Sequence, residues 1–70
     1  MQISARNQLK GKITSITLGS VMAEVVVTLP DGQEIVSAIT RHSAESLNLK
    51  NGDEAVAIIK STEVMIGKNP

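Results

Sequence analysis

An all-β fold is what the sequence predicts, and three observations carry that expectation. Runs rich in Val, Ile and Thr recur along the chain, regularly spaced turn residues separate them, and only one stretch has a helical composition. The turn signals are Leu18-Gly19-Ser20, Pro30-Asp31-Gly32 and Lys50-Asn51-Gly52-Asp53. Pro30 presets φ and Gly32 admits a positive φ, while Asn51-Gly52 suits a type I′ or related tight turn.

Between these signals the expected strands follow in order. They are Asn7–Leu18, Val21–Leu29, Gln33–Ile39, Glu54–Lys60 and a shorter Glu63–Ile66. The helical stretch is Thr40-Arg41-His42-Ser43-Ala44-Glu45-Ser46-Leu47, led by a hydroxyl residue suited to the N-cap. It allows only about two turns and so depends on tertiary support, for which Leu47 and Leu49 are the expected anchors. Five strands with one short helix between the third and fourth are the order of an OB-like barrel. Residues 1–70 read as one domain, with the tail Gly67-Lys68-Asn69-Pro70 expected to fray.

The composition narrows what such a barrel needs. A chain of 70 residues rarely gathers more than about 3–5 kcal/mol from its own core, so a disulfide, a metal or association must help. Cysteine is absent and histidine occurs once, which removes disulfides and thiolate or zinc clusters. Association remains. Val21-Met22-Ala23-Glu24-Val25-Val26-Val27 and Ala55-Val56-Ala57-Ile58-Ile59 are apolar on both faces, as strands buried on both sides are. A homo-oligomer is therefore expected. No apolar run is long enough for a signal peptide or a spanning helix, so the expected location is the cytoplasm, away from membranes.

Several function classes fall away. Single-stranded nucleic acid needs aromatic platforms beside a basic groove, whereas this chain has no aromatic residue and its 7 basic and 7 acidic side chains cancel. A nucleic-acid role thus rests on fold analogy alone. His42, Ser43 and Glu45 are too close together on one short helix to form a catalytic relay. Lys60 and Ser61 are strand neighbours facing opposite sides. No phosphate loop or metal-ligand spacing occurs. The chain is not expected to be an enzyme, and no direct metal ligand or resident cofactor is expected.

What stands out is a set of groups suited to an anion. Ser4 and Arg6 are one side-chain period apart in an extended segment, so both can face one way. Thr40 and Ser43 bracket the first helical turn, where backbone N–H groups lack partners. Lys60, Ser61 and Thr62 end a strand. Each has a plain structural reading as a cap, a turn former or a solvated charge.

Three blocks of the chain resemble one family. Ser4-Ala5-Arg6-Asn7-Gln8-Leu9-Lys10-Gly11 is similar to the opening signature of the molbindins, the molybdenum-pterin-binding proteins. Ala38-Ile39-Thr40 with Ser43, and Lys60-Ser61-Thr62-Glu63-Val64-Met65-Ile66, are similar to two further blocks of that family, in the same order. The resemblance implies an OB-like barrel assembled as a hexamer, a trimer of dimers, that holds molybdate or tungstate between subunits. Carried over residue by residue, it implies a site made of Ser4, the backbone of Ala5, and Arg6 from one chain, with Thr40, Ser43, Lys60 and Ser61 from its neighbour. A second oxyanion site near the three-fold axis is expected around Ser20, Val21, Met22 and Ala23. The implied role is intracellular oxyanion storage and homeostasis, with molybdenum-pterin cofactor binding or an oxyanion-sensing regulatory module as alternatives.

Overall fold

One long strand organises the chain. The computed structural model describes all residues, Met1–Pro70, and its first strand, β1, spans Asn7–Leu18. The others are β2 (Met22–Thr28), β3 (Glu34–Thr40) and β4 (Glu54–Ile59), with one helix, α1 (Arg41–Ser46), between β3 and β4. They form one antiparallel sheet in the order β3-β2-β1-β4. β1 divides its length between two neighbours. Asn7–Lys12 pair with β4 and Lys12–Leu18 pair with β2.

The changeover is marked by a glycine and a bulge. Register slips between Ile13 and Ser15, which bends the strand and strengthens its twist. The hydroxyls of Thr14 and Thr28 share a hydrogen bond of 2.8 Å across the irregularity. Gly11 lies so close to β2 that an added Cβ would stand 2.5 Å from the Thr28 carbonyl oxygen and 2.8 Å from Val27 Cγ1. This close approach curls the sheet.

The curled inner face holds the core. Ile13, at 1% exposure, packs with Val25 and Val27, and Ile16, Leu29, Ile39, Leu49 and Ala55 gather around them. Ala23 and Ala44 complete the buried set, which is only 5 of 70 residues. The radius of gyration is 13.1 Å, against about 11 Å expected for a compact domain of this length. The chain is thus more extended than a self-sufficient domain, and its core is correspondingly thin.

The turns follow local chemistry. Leu29-Pro30-Asp31-Gly32 closes with the Gly32 N–H donating to the Leu29 carbonyl (2.9 Å), and Gly32 takes a positive φ. Asp31 accepts from both the backbone N–H and the side-chain amide of Gln33. At Lys50–Asp53 only Gly52 has positive φ, so the turn is not type I′, which needs it at both central residues. The Asp53 carboxylate instead accepts from the Lys50 N–H (2.9 Å).

Three expectations need correction. The sheet has four strands and remains an open curl instead of a closed five-stranded barrel. The fifth stretch, Glu63–Ile66, is not a strand here: Ser61–Glu63 form a 3₁₀ turn and the chain continues extended and unpaired. β-propensity specifies an extended backbone but supplies no ladder partner. Leu47 does not anchor the helix, since it is 68% exposed; it ends α1, and the anchors are Ala44 and Leu49. The strands read as apolar on both faces bury only one. Ala23, Val25 and Val27 point inward, while Met22, Val36 and Ile58 remain exposed.

Two outcomes follow. Gly11→Ala should lower the unfolding free energy by about 1–3 kcal/mol, the usual cost of overpacking, read as a reduced urea midpoint; an unchanged midpoint would mean that β1 and β2 do not approach this closely. The two Gln33 hydrogen bonds, side chain first, hold the Asp31 carboxyl below the ordinary aspartate value. A folded pKa below the unfolded one stabilises the fold above the unfolded pKa, and that contribution is lost as pH falls through the folded value. An NMR titration should therefore find Asp31 below the range of an unperturbed aspartate, and Gln33→Ala should return it to that range.

Candidate functional site

The anion-suited residues fall at the two ends of β1. Ser4, Ala5 and Arg6 immediately precede it, and Lys60 and Ser61 immediately follow β4. Asn7 pairs with Ile59, so these five residues share one end of the sheet. A bend at Ser4 interrupts the extended segment, so strict alternation of Ser4 and Arg6 does not hold there. The Gln8 side-chain amide donates to the Ala5 carbonyl (2.7 Å) and fixes the approach to β1. Asn7 Nδ2 reaches towards Ser61 Oγ at 3.5 Å, which ties the entry segment to the exit of β4.

This end is built of donors. Arg6, Lys60, Ser4 and Ser61 are all exposed, and neither cation takes part in an ion pair within the chain, whose only salt bridge is Arg41–Glu45. Bringing a guanidinium and an ammonium to one end of a sheet is unfavourable unless something negative accompanies them. Hydroxyls and the Asn7 amide add further donors. Asn7 is a contributor that the sequence reading passed over; its place directly after Arg6 in the opening block was the available signal.

The opposite end carries Thr40 and Ser43. Thr40 closes β3 and caps α1: the Ser43 N–H donates to Thr40 Oγ1 (3.0 Å), and the Thr40 hydroxyl donates to Ser43 Oγ (2.8 Å). Thr40 pairs with Met22, and the Arg41 N–H donates to the Val21 carbonyl (2.7 Å). Arg41 Nη1 also donates to the Gly19 carbonyl (3.3 Å). Ser20, Val21, Met22 and Ala23 therefore adjoin Thr40 and Ser43. His42 is exposed on α1 beside Ser46, 3.4 Å away. His42, Ser43 and Glu45 face different partners: Ser46, Thr40 and Arg41.

The two groups cannot meet within one chain. β1 has 12 residues, and at ~3.3 Å per residue its ends stand roughly 35 Å apart along the strand. That is far beyond the 2.7–3.2 Å of a hydrogen bond. Lys60 and Ser61 lie with Ser4–Arg6 in the same chain, whereas Thr40 and Ser43 lie at the far end. A small anion that touches all of them needs more than one chain. The largest groove, about 540 Å³, contains none of these residues. It is lined by Lys10, Lys12, Pro30, Glu54 and Val56 among others, and the Glu54 carboxylate makes it a poor seat for an anion.

Residues 3–66 match the TOBE domain. The chain is 52% identical over 66 residues to molybdenum-pterin-binding protein 3 of Clostridium pasteurianum, covering 94% of this chain and 97% of that protein. Its structure is similar to that of MopII from Clostridium pasteurianum in an apo form, with a TM-score of 0.91, 49% identity, and 96% and 100% of the two chains covered. It is equally similar, at a TM-score of 0.91 and 41% identity, to a molybdate-binding protein from Sporomusa ovata, with 97% and 100% covered.

The helix cap gives a direct check on the Thr40 end. Thr40→Ala removes the acceptor for the Ser43 N–H and should cost about 0.5–2 kcal/mol of stability, measured by denaturant unfolding. Thr40→Ser should restore most of it; equal losses in both variants would show that the hydroxyl is not the cap.

Proposed function

The chain belongs to the molbindin family of TOBE-domain proteins, and from that membership we propose that it binds molybdate at sites shared between copies of itself. The observation that carries the reading is the joining of Arg6 and Lys60, with Ser4, Ser61 and the Asn7 amide, at one end of the sheet. Molybdate is a tetrahedral dianion whose four oxygens only accept hydrogen bonds at neutral pH. A site of cations, hydroxyls and amides is complementary to it. A unit charge pair at 4 Å is worth about 4 kcal/mol at an effective dielectric of 20, before desolvation is subtracted. Arg6 and Lys60 together neutralise the dianion locally, so the zero net charge of the chain does not oppose binding.

Thr40 and Ser43 complete the site from another copy, which supplies the far end that β1 keeps away within one chain. Ala5 contributes its backbone. The Ser20–Ala23 turn, beside the helix cap, is a second oxyanion position where copies converge. The assembly in this reading is a hexamer built as a trimer of dimers. Tungstate, nearly the same size and charge, binds the same groups. Sulfate is smaller, and a rigid cavity sized for molybdate grips it less well. Phosphate carries a proton at neutral pH, which faces a donor in a donor-only cavity. The working role is an intracellular store that buffers molybdate in the cytoplasm for cofactor synthesis.

The relatives' name suggests a second reading, a molybdenum-pterin ligand. A flat heterocycle is usually held by aromatic stacking, and this chain has no Phe, Tyr or Trp, so the bare oxyanion is favoured.

Isothermal titration with molybdate, tungstate, sulfate and phosphate tests the proposal. Molybdate and tungstate should bind far more tightly than the other two, and equal binding of all four would reject a selective site. Arg6→Ala removes a charge-assisted contact worth about 1.5–3 kcal/mol, so molybdate affinity should fall about 10- to 150-fold with the β-sheet circular dichroism intact. Unchanged affinity would remove Arg6 from the site. His42→Ala should change affinity no more than a few-fold.

A further inference from the structure

Two features of the chain are left over by the anion site. One is the segment after the 3₁₀ turn. Val64 is extended (φ −91°, ψ 121°), and Met65 and Ile66 are 93% and 90% exposed. Beyond Val64, no backbone N–H or carbonyl of the segment takes part in a hydrogen bond within the chain. Val-Met-Ile on an extended backbone has the makings of a strand and lacks only a ladder.

The other is the free edge of β3. In the order β3-β2-β1-β4, β3 has a neighbour on one side only. Its sequence, Glu34-Ile35-Val36-Ser37-Ala38-Ile39-Thr40, contains no Lys, Arg or Pro. Its register against β2 runs without a bulge, and Val36 is 62% exposed. None of the usual devices that blunt an edge strand, such as a lysine, a proline or a bulge, is present. Such an edge is a template for one more strand.

The chain's own tail is badly placed to supply it. β4 pairs with the Asn7 half of β1, and the tail leaves from that end. β3 begins level with Lys12, through the pairs Glu34–Thr28 and Thr28–Lys12, and runs the other way. Along the sheet, a return means retracing β4, about 20 Å, and crossing three strand spacings of about 4.8 Å each. The straight path is roughly 24 Å, about the full reach of a seven-residue extended segment, and leaves nothing over to pair.

We infer that Val64–Ile66 adds as a fifth strand to the β3 edge of a second copy of this chain, with the 3₁₀ turn at Ser61–Glu63 as the point of departure. The inference deepens the oligomeric reading above by naming the segment and the edge that join. If the exchange is reciprocal, each copy gives one strand and receives one, which closes as a two-fold dimer with no edge left to propagate. The five-stranded order read from the sequence is then met by two chains together. The exchange also explains why the most exposed apolar residues of the chain lie on a segment of strand-forming composition.

The absence of cysteine allows a clean cross-linking test, done without any oxyanion so that its outcome is independent of molybdate binding. Ile66→Cys is mixed with Val36→Cys, and separately with Ile58→Cys on the outer face of β4. After subunit exchange and mild oxidation, a mixed disulfide dimer should form with the β3 variant and not with the β4 variant. No mixed dimer with either, or equal yields with both, would overturn the inference. Met65→Pro removes a ladder donor from a residue that packs against nothing in its own chain. Its solution mass should fall toward the 7.4 kDa of a single chain at protein concentrations that keep the parent assembled. An unchanged mass would overturn the inference equally.

Discussion

The pairing of β1 with two different partners is the constraint on which the structure depends. Its Asn7 half has β4 beside it, its Leu18 half has β2, and Lys12 is the one residue paired with both. A flat strand could not serve both neighbours and still cover a common core. The bulge at Thr14 and the close approach at Gly11 supply the bend, and Ile13, between them, becomes the most buried side chain of the chain. The same stagger separates the donor-rich ends: Arg6 and Lys60 at one, Thr40 and Ser43 at the other. The geometry of the core thus dictates that no chain holds a whole anion site by itself.

Much of this was legible from local chemistry. β1 has the expected limits because Gly19 and the β-branched run preceding it mark them unambiguously, and the Pro30-Asp31-Gly32 turn behaves as its residues require. Thr40 as a helix cap was readable from a hydroxyl ahead of helix formers. The failures have one cause. Val64–Ile66 has strand-forming residues, but a strand exists only when a ladder partner is within reach, and reach depends on a register that propensity does not encode. Leu47 looked like an anchor because it is apolar at the end of an amphipathic helix, yet the chain turns there through the left-handed Asn48, and Leu49 takes the core position instead. The donor residues were visible as types and through family resemblance. That Lys60 lies with Arg6, and Thr40 with the Gly19–Met22 turn, was not visible, since it follows from strand pairing alone.

The thin core and the missing aromatics belong to the same economy. A sheet of Val, Ile and Ala twists and packs closely but buries little area per residue, and five buried residues of 70 are few for a chain that must stand alone. The outer faces of β2, β3 and β4 retain Met22, Val36 and Ile58 in contact with water. At about 25 cal/mol per Å² of apolar area removed from water, covering them with like faces from other copies contributes stability that no internal rearrangement of this chain supplies.

Assembly and anion binding are then linked by thermodynamics. A ligand held only by groups from two chains binds only the assembled state, and stabilises it by RT ln(1 + [L]/Kd) for each site. The reverse holds with the same coupling: whatever favours assembly raises apparent affinity for the anion. Lys60 and Ser61 lie directly before the turn from which the C-terminal segment departs, so the residues that grip the anion and the segment that grips a partner are consecutive in the chain. Fixing one restricts the other. A chain too small to build a closed cavity can in this way obtain a rigid, dehydrated one, because the walls are delivered by neighbours whose positions are set by the same strand pairing that sets its own.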